Sequence, residues 1–216
     1  MNCTQYEITK ENKNRMKIKK NESYFKGDRP EMIKYVPFSA KRILEVGCGE
    51  GLFAKLLIGK KAEREVWGVE LNSEAAQIAS QSLTKVYVGA IENVMNDLPG
   101  AYFDLIIFND VLEHLVDPCI VLTGIREKLN NKGQILASIP NLRFAKVIYN
   151  LLIKKDFTYT EMGILDSTHL RFFTINTIKK LFIESGYDID FLEGIDRSGS
   201  LFTRAFVFFL SILTLR

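Results

Sequence analysis

The chain has 216 residues, of which 47% are hydrophobic and 25% charged. These values suit one globular domain with a substantial core and exclude a disordered, collagenous or disulfide-stapled chain. The net charge of +3 is too small to indicate a nucleic-acid partner. Three cysteines, Cys3, Cys48 and Cys119, are an odd number without metal-ligand spacing, so we expect a reducing, cytoplasmic location and no metal.

The first 23 residues form a basic segment. The stretch KENKNRMKIKK carries six Lys or Arg against one Glu. We interpret residues 1–23 as a solvated N-terminal arm, with contact to nucleic acid or a membrane surface as the alternative. Its polar composition predicts no signal peptide.

Short apolar runs typical of strands then alternate with helix-favouring segments. Strands are predicted at 42–47, 65–71, 85–89, 103–108 and 134–139, and helices near 51–60, 73–83 and 118–130. The third helix has Asp117 as its N-cap and Pro118 in its first turn, and Gly133 follows its end. Buried strands joined by helices indicate an α/β fold, a doubly wound Rossmann-like and mostly parallel sheet.

The alternation of strands and helices is interrupted after the fifth predicted strand. Residues 140–173 read as an insertion of the kind that covers an active site. A helix over 174–185, capped by Thr174 and ended by Gly186, and a sixth strand over YDIDFLEGI (187–195) are predicted to complete a domain spanning residues 24–200. The apolar run AFVFFLSILTL within residues 201–216 is too short to span a membrane. We predict a last strand or a packing helix there, with contact to a second copy of the chain or to a membrane as the alternatives.

Three glycines separate the first predicted strand from the first helix. In RILEVGCGEGLFAKLL, Gly47, Gly49 and Gly51 follow the acidic Glu45. The dinucleotide pattern G-x-G-x-x-G would need glycine at position 52, which is Leu, and no Lys-Ser/Thr pair follows to make a phosphate-binding P-loop. An ordinary tight turn is one interpretation, whereas close approach of a ligand to backbone without side chains is the other.

At this point the chain resembles the class I S-adenosylmethionine-dependent methyltransferases. The segment LEVGCGEG is similar to their first motif, and VWGVELN continues the likeness. The resemblance implies that Glu45 and the glycine turn lie beneath the methionine and ribose of S-adenosylmethionine. It also implies that Glu70, followed by Leu71, accepts hydrogen bonds from the ribose hydroxyls. The spacing of 21 positions between Gly49 and Glu70 (70 − 49) is close to the ~20 of ribose-binding acids in such folds.

Two further segments extend the resemblance. In VGAIENV the family commonly has Asp or Asn where this chain has Ala90, so adenine contacts are expected from backbone groups near Ile91 or from Glu92. FDLIIFNDVLEHLVDP is similar to the family's fourth-strand segment. It implies that three residues line the cofactor beside the reacting methyl group, Asn109, Asp110 and Val111.

The N-terminal stretch YFKGDRPEM is similar to the segment that precedes the first strand in a subset of these enzymes. That likeness implies that Tyr24 and Arg29 close over the substrate and the methionine end of the cofactor. A packing role for both is the alternative.

The chain's two histidines are the candidate catalytic residues. A hydroxyl acceptor benefits from a base, and histidine has the resting pKa best suited to it. His114 follows the fourth strand and His169 lies in the insertion, flanked by Asp166 and Arg171, which we expect to orient the base or bind an anionic acceptor. A structural role for each histidine is the alternative.

The acceptor class is inferred from PNLRF and THLRFFT. These segments resemble methyltransferases of small molecules, including quinone precursors and polysaccharide sugars, and imply methylation at oxygen of a small-molecule or sugar substrate. Two other readings remain open at this point: a non-catalytic methyltransferase-like binding subunit, and an NAD or nucleotide-sugar enzyme. A homo-oligomer is compatible with all three.

Overall fold

The computed structural model describes residues 27–195 together with positions 205, 208, 209 and 212. In this part of the chain, five strands form one parallel sheet in the order β3-β2-β1-β4-β5. The strands are β1 (Arg42–Val46), β2 (Glu65–Glu70), β3 (Lys85–Val88), β4 (Phe103–Asn109) and β5 (Leu129–Ser138). The predicted doubly wound α/β fold is confirmed.

Helices connect these strands and cover the sheet. They are α1 (Leu52–Lys60), α2 (Ser73–Ala79), α3 (Ile91–Val94), α4 (Pro118–Ile125), α5 (Ala145–Tyr149) and α6 (Ile175–Glu184). Short 3₁₀ turns occupy Pro30–Tyr35, Met95–Asp97, Leu112–His114 and Arg126–Lys128, and α5 continues as a π-helical turn over Asn150–Lys154. The helix-like part of the insertion is therefore α5 and its π-helical extension.

Side chains at the helix starts accept the amide hydrogens that a helix leaves unpaired. Asn72 accepts from two amides in the first turn of α2, and Asp117 accepts from Ile120 N at 3.0 Å in α4. Thr174 and Thr177 form a reciprocal capping box at the start of α6. The caps predicted at Asp117 and Thr174 are confirmed.

The core lies on both faces of the sheet because alternate residues of β1 point in opposite directions. Ile43 packs in the cluster that contains Phe53 and Leu57 of α1. Leu44 packs on the opposite face, in the cluster that contains Leu122 of α4. Burial on both faces explains why the strands read as continuous apolar runs.

The order of the strands determines where a ligand can bind. From β1 the chain proceeds outward through β2 and β3, and it then returns to place β4 on the other side of β1. Loops that follow β1 and β4 diverge at this reversal, which creates a crevice beyond the carboxyl ends of the two strands. The glycine turn and the segment after Asn109 therefore face each other.

Three predicted boundaries were wrong. The helix over 73–83 ends at Ala79, and that over 118–130 ends at Ile125. Strand β5 begins at Leu129 rather than 134, so Gly133 lies inside it. A Cβ at Gly133 would lie 2.8 Å from the Phe103 carbonyl oxygen, so glycine is required by the close approach of β4 and not by a helix end.

The predicted sixth strand is also wrong, because residues 187–195 are irregular. Side-chain contacts hold this stretch instead of a backbone ladder. Phe191 stacks on Tyr35 with ring centroids 5.1 Å apart, and Glu193 accepts a 3.0 Å hydrogen bond from the Tyr35 hydroxyl. Asp190 accepts from the Gln134 side chain at 3.1 Å.

The remaining predictions concern the N-terminal arm and the apolar C-terminal run. A last strand or a packing helix was predicted for the C-terminal run. Positions 205, 208, 209 and 212 are helical, which agrees with the helix. The N-terminal arm and the rest of the C-terminal run lie outside the described residues. Among the residues that are described, no helix is long and apolar enough to cross a membrane.

Candidate active site

The glycine turn is fixed to the ends of two neighbouring strands. Gly47 has a φ of 72°, and its amide donates to Val69 O at 2.7 Å. A Cβ there would lie 2.6 Å from Val111 Cγ2, so the turn and the segment after β4 approach closely only because Gly47 lacks a side chain. This contact places the two predicted cofactor segments side by side.

Glu70 ties the second glycine to the end of β2. Its Oε2 accepts from Gly49 N and its Oε1 from Asn72 N, both at 2.8 Å. The side chain is buried while Leu71, which follows it, is 73% exposed. Each carboxylate oxygen has a further lone pair, so the contacts that shape the turn leave capacity for hydroxyl donors.

Gly51 has a different role from the other two glycines. It precedes α1 with a φ of 76°, and a Cβ there would lie 2.7 Å from Leu83 Cδ1 and 3.2 Å from Ala79 Cβ. Close packing of α1 against the chain after α2 therefore requires this glycine, in addition to any effect on ligand binding.

A single broad groove runs past the turn. Seventeen of the predicted site residues can be placed, and fifteen of them line it: Arg29, Glu45, Gly47, Gly49, Glu70, Leu71, Ala90, Ile91, Glu92, Asn109, Asp110, Val111, His114, Asp166 and His169. Gly51 and Arg171 do not, and Tyr24 lies outside the described residues.

The predicted adenine contacts follow β3. Ala90 precedes α3, Ile91 is buried in its first turn and Glu92 is exposed. All three positions border the groove, and their contact with adenine stays a prediction.

Two polar side chains under the turn have buried atoms without a hydrogen-bond partner among the described residues. Glu45 is 2% exposed, and its Oε2 has no hydrogen-bond partner in the described part of the chain. Burial raises the pKa of Glu45 to about 8. Both side-chain amide atoms of Asn109 are also buried, and neither has a hydrogen-bond partner within residues 27–195. Since such atoms are normally satisfied, the geometry fits a polar ligand in this crevice.

Asp110 follows β4 in a left-handed conformation, with a φ of 53°. Its Oδ1 accepts from Arg29 Nη2 at 3.1 Å and from the Ser138 hydroxyl at 3.0 Å. Burial raises the pKa of Asp110, while the Arg29 charge and the Ser138 hydrogen bond oppose the rise. Arg29 is thus brought to the carboxyl end of β4, although the two residues are 81 positions apart.

The two histidines meet beyond the end of β4. Their ring centroids are 4.7 Å apart, and Glu113 completes the group with Oε1 at 3.8 Å from His169 Nε2. Glu113 is only 1% exposed and neither carboxylate oxygen has a hydrogen-bond partner in the described part of the chain. Burial raises the pKa of Glu113 to about 8, and the charge of Asp110 contributes.

The insertion supports this group through its backbone. His169 Nδ1 contacts Ile164 O at 2.9 Å, and His114 Nδ1 contacts Thr168 O at 3.2 Å. The amides of residues 170 and 171 both donate to the Glu113 carbonyl, at 2.9 and 3.0 Å. The loop over 163–171 is therefore held directly against the turn over 112–114.

The residues that flank His169 have structural contacts. Asp166 accepts from the Thr168 amide and hydroxyl at 2.8 and 2.7 Å, which shapes the loop. Arg171 donates from Nε and Nη2 to Val116 O, which anchors the end of the insertion outside the groove. Their predicted roles toward a base or acceptor stay predictions.

Sequence reasoning missed Glu113. It adjoins His114 in the segment VLEHL, and that adjacency is the one local signal that could have indicated it. Its contact with His169 depends on how the insertion folds back, which spacing along the chain does not reveal.

Comparison with known proteins identifies the family. The profile of a methyltransferase-domain family matches residues 18–190. The ubiquinone biosynthesis O-methyltransferase of Xylella fastidiosa strain 9a5c is 31% identical over 118 residues, covering 52% of this chain and 47% of that protein. The mitochondrial ubiquinone biosynthesis O-methyltransferase of Schizosaccharomyces pombe is 25% identical over 165 residues, covering 73% and 59%. The chain thus spans about half the length of the curated relatives it matches.

Solved structures show the same fold. A SAM-dependent methyltransferase from Archaeoglobus fulgidus aligns with a TM-score of 0.60 at 20% identity, over 90% of this chain and 91% of that one. The plantazolicin methyltransferase BpumL, in a complex that contains SAH, aligns with a TM-score of 0.53 at 16% identity, over 78% and 64%. Because the family profile covers most of the sequence, this chain belongs to the methyltransferase-domain family, the class I methyltransferases whose cofactor is S-adenosylmethionine.

Proposed function

We propose that this protein transfers the methyl group of S-adenosylmethionine to a hydroxyl oxygen of a small molecule. The observation that carries this proposal is the position of Glu113, His114 and His169. Glu113 and His114 follow Val111, which closely approaches the glycine turn at Gly47, and the fold brings His169 beside them. Groups able to act on a hydroxyl proton therefore adjoin the predicted methyl donor.

The reaction is an in-line displacement at the methyl carbon. The acceptor oxygen forms a bond to that carbon, the carbon–sulfur bond breaks, and its electron pair neutralises the sulfonium. The hydroxyl proton leaves to a base. Because the leaving group is already activated, the protein contributes mainly by aligning donor and acceptor, and removal of the proton adds a factor of about 10²–10⁴.

Polar side chains that line the groove support a hydroxylated acceptor. The insertion lines the groove with Asp156, Thr158 and Thr160, and the chain after β5 adds Asn141 and Arg143. These side chains offer both donors and acceptors of hydrogen bonds. Two curated relatives named as O-methyltransferases of ubiquinone biosynthesis support oxygen as the methylated atom.

Transfer of a labelled methyl group to candidate acceptors tests the proposal. The protein would be incubated with S-adenosylmethionine carrying a labelled methyl group and two acceptor sets, dihydroxybenzoates and hydroxyl-bearing sugars. We expect label in an ether product from one set, and product analysis identifies the oxygen.

Variants test whether the measured methyl transfer takes place at the proposed site. At saturating cofactor, His114→Asn and His169→Asn should each lower the rate at least about tenfold. The matched control Glu127→Gln changes an exposed acid that does not line the groove, and it should leave the rate unchanged. Label only on nitrogen or carbon, or a rate insensitive to both histidine variants, would contradict the proposal.

A further inference from the structure

We propose that Arg143 and Lys146 bind an anionic group of the acceptor, a carboxylate or a phosphate, while the acceptor hydroxyl lies near the two histidines. This assignment rests on the proposed methyl transfer and adds the chemical class of its substrate. The acceptor then carries both a hydroxyl and an anionic group, as hydroxybenzoates and sugar phosphates do.

The two cations border the groove from the chain that follows β5. Arg143 lies just before α5, and Lys146 lies in the first turn of that helix. Val147 and Asn150 also border the groove. Because Lys146, Val147 and Asn150 are at helical spacing, one face of α5 and its extension lines the groove.

Both side chains are available for a ligand. Arg143 and Lys146 are exposed, and within residues 27–195 neither side chain has a hydrogen bond or an ion pair. Arg29, by contrast, pairs with Asp110. Arg171, the arginine expected from the sequence to bind an anion, donates to the Val116 carbonyl and does not line the groove.

The charges along the groove are separated by sign. Residues 139–155 contain four Lys or Arg and no Asp or Glu. The next residue along the chain, Asp156, accepts a hydrogen bond from the Thr158 hydroxyl. Acids lie at the cofactor end instead, where Glu70 and Asp110 border the groove. This arrangement favours the sulfonium cation of the cofactor at one end and an anionic acceptor group at the other.

Backbone contacts hold the cations in place relative to the candidate base. Asn141 forms a bridge with Phe173, and the Leu142 amide donates to the Phe173 carbonyl at 2.7 Å. The Arg143 amide donates to Asn141 Oδ1 at 2.9 Å. Phe173 follows His169 by four residues (173 − 169), so the segment with the cations is bonded to the chain that carries this histidine.

This pair of side chains suits an oxyanion. A guanidinium binds carboxylate or phosphate oxygens through two parallel N–H bonds, and an ammonium adds a compact charge. Holding the anionic group at one point restricts the positions of the acceptor hydroxyl, which contributes to its alignment with the methyl group. The hydroxyl proton still leaves to a base, as in the proposed function.

Calorimetry with matched charged and neutral probes tests the anionic site. The purified chain, saturated with S-adenosylhomocysteine, would be titrated with 3,4-dihydroxybenzoate and with its uncharged methyl ester. Glucose 1-phosphate and glucose form the second pair. We expect the charged member of one pair to bind at least about tenfold more tightly than its neutral partner. The pair that shows this preference distinguishes a carboxylate from a phosphate.

Variants assign the preference to the two cations. Arg143→Gln and Lys146→Gln should each reduce it, by about tenfold for Arg143→Gln. Neither should change the affinity for the neutral probe, which a merely structural role would alter. The matched control Lys55→Gln changes an exposed lysine on α1 that does not line the groove, and it should leave both affinities unchanged.

Three results would overturn the anionic site. They are equal affinity for the charged and neutral members of both pairs, failure of both charged probes to bind, and a preference that neither variant alters. Transfer of a labelled methyl group tests the proposed function separately. A chain that methylates a neutral acceptor and shows no preference for the charged probes would retain that function and lose this site.

Discussion

Replacing Glu45 with glutamine should remove a pH dependence of the protein's stability. Burial raises the pKa of Glu45 from 4.5 to about 8, and the side chain is 2% exposed. In the folded protein the carboxyl keeps its proton up to about pH 8, whereas in the unfolded chain it loses the proton near pH 4.5. The contribution of Glu45 to the free energy of unfolding is therefore greatest below pH 4.5, and it falls as the pH rises toward 8.

The magnitude follows from the two pKa values. At 1.36 kcal/mol per pH unit, a rise from 4.5 to about 8 corresponds to about 5 kcal/mol for complete ionisation. About 3 kcal/mol of this develops between pH 5 and pH 8. Glutamine has nearly the same shape and does not ionise, so Glu45→Gln should escape that loss.

Denaturant unfolding of the ligand-free protein at pH 5, 6, 7 and 8 measures the effect. The free energy of unfolding of Glu45→Gln, minus that of wild type, should grow by about 3 kcal/mol across this range. Glu127→Gln, which changes an exposed acid, should show no such trend. A flat difference for Glu45→Gln, or one that shrinks with pH, would refute the assignment of Glu45 as a buried acid held neutral by its surroundings.

Three further variants test separate parts of the structure. Glu70→Ala removes the acceptor for Gly49 N and should lower the affinity for S-adenosylhomocysteine about 10- to 100-fold by calorimetry, because hydrogen bonds to a charged group contribute about 1.5–3 kcal/mol each; unchanged affinity would show that the ribose contact is misassigned. Gly47→Ala should destabilise the fold by more than the ~1–2 kcal/mol of a left-handed backbone, and adding Val111→Ala should recover the remainder if the 2.6 Å contact causes it. Thr174→Ala should lower the free energy of unfolding by about 1 kcal/mol through loss of the capping box, measured in urea, and a neutral result would mean that water replaces the cap.

Strands β1, β2 and β4 were predictable because they are largely buried apolar runs whose pattern is local. Strand β5 shows where that signal fails. In its first half, Leu129 to Gly133, only Leu129 is apolar and buried, and the segment becomes a strand through pairing beside Phe103. The stretch 187–195 shows the reverse case, because it has strand-like composition without a backbone partner. In both cases, pairing with a distant segment determines whether a strand forms. The local amino-acid composition does not reveal that pairing.

In the candidate site, too, residues at a fixed spacing from a strand were predictable, whereas contacts between distant segments were not. The glycine turn and Glu70 were predictable because both follow strands at a fixed spacing, and strand order brings such positions together. The contact between Glu113 and His169 was not, because the insertion determines it. The ion pair between Arg29 and Asp110 was not predictable either, because the two residues are 81 positions apart in the sequence.

Calorimetric titration of the purified chain with S-adenosylhomocysteine and, separately, with NAD measures the central claim most directly. If the glycine turn and Glu70 bind the adenosyl cofactor, S-adenosylhomocysteine should bind with one molecule per chain, and Glu70→Ala should weaken it. NAD should give no saturable heat. Saturable binding of NAD with none of S-adenosylhomocysteine would contradict the assignment of this groove to a methyl donor.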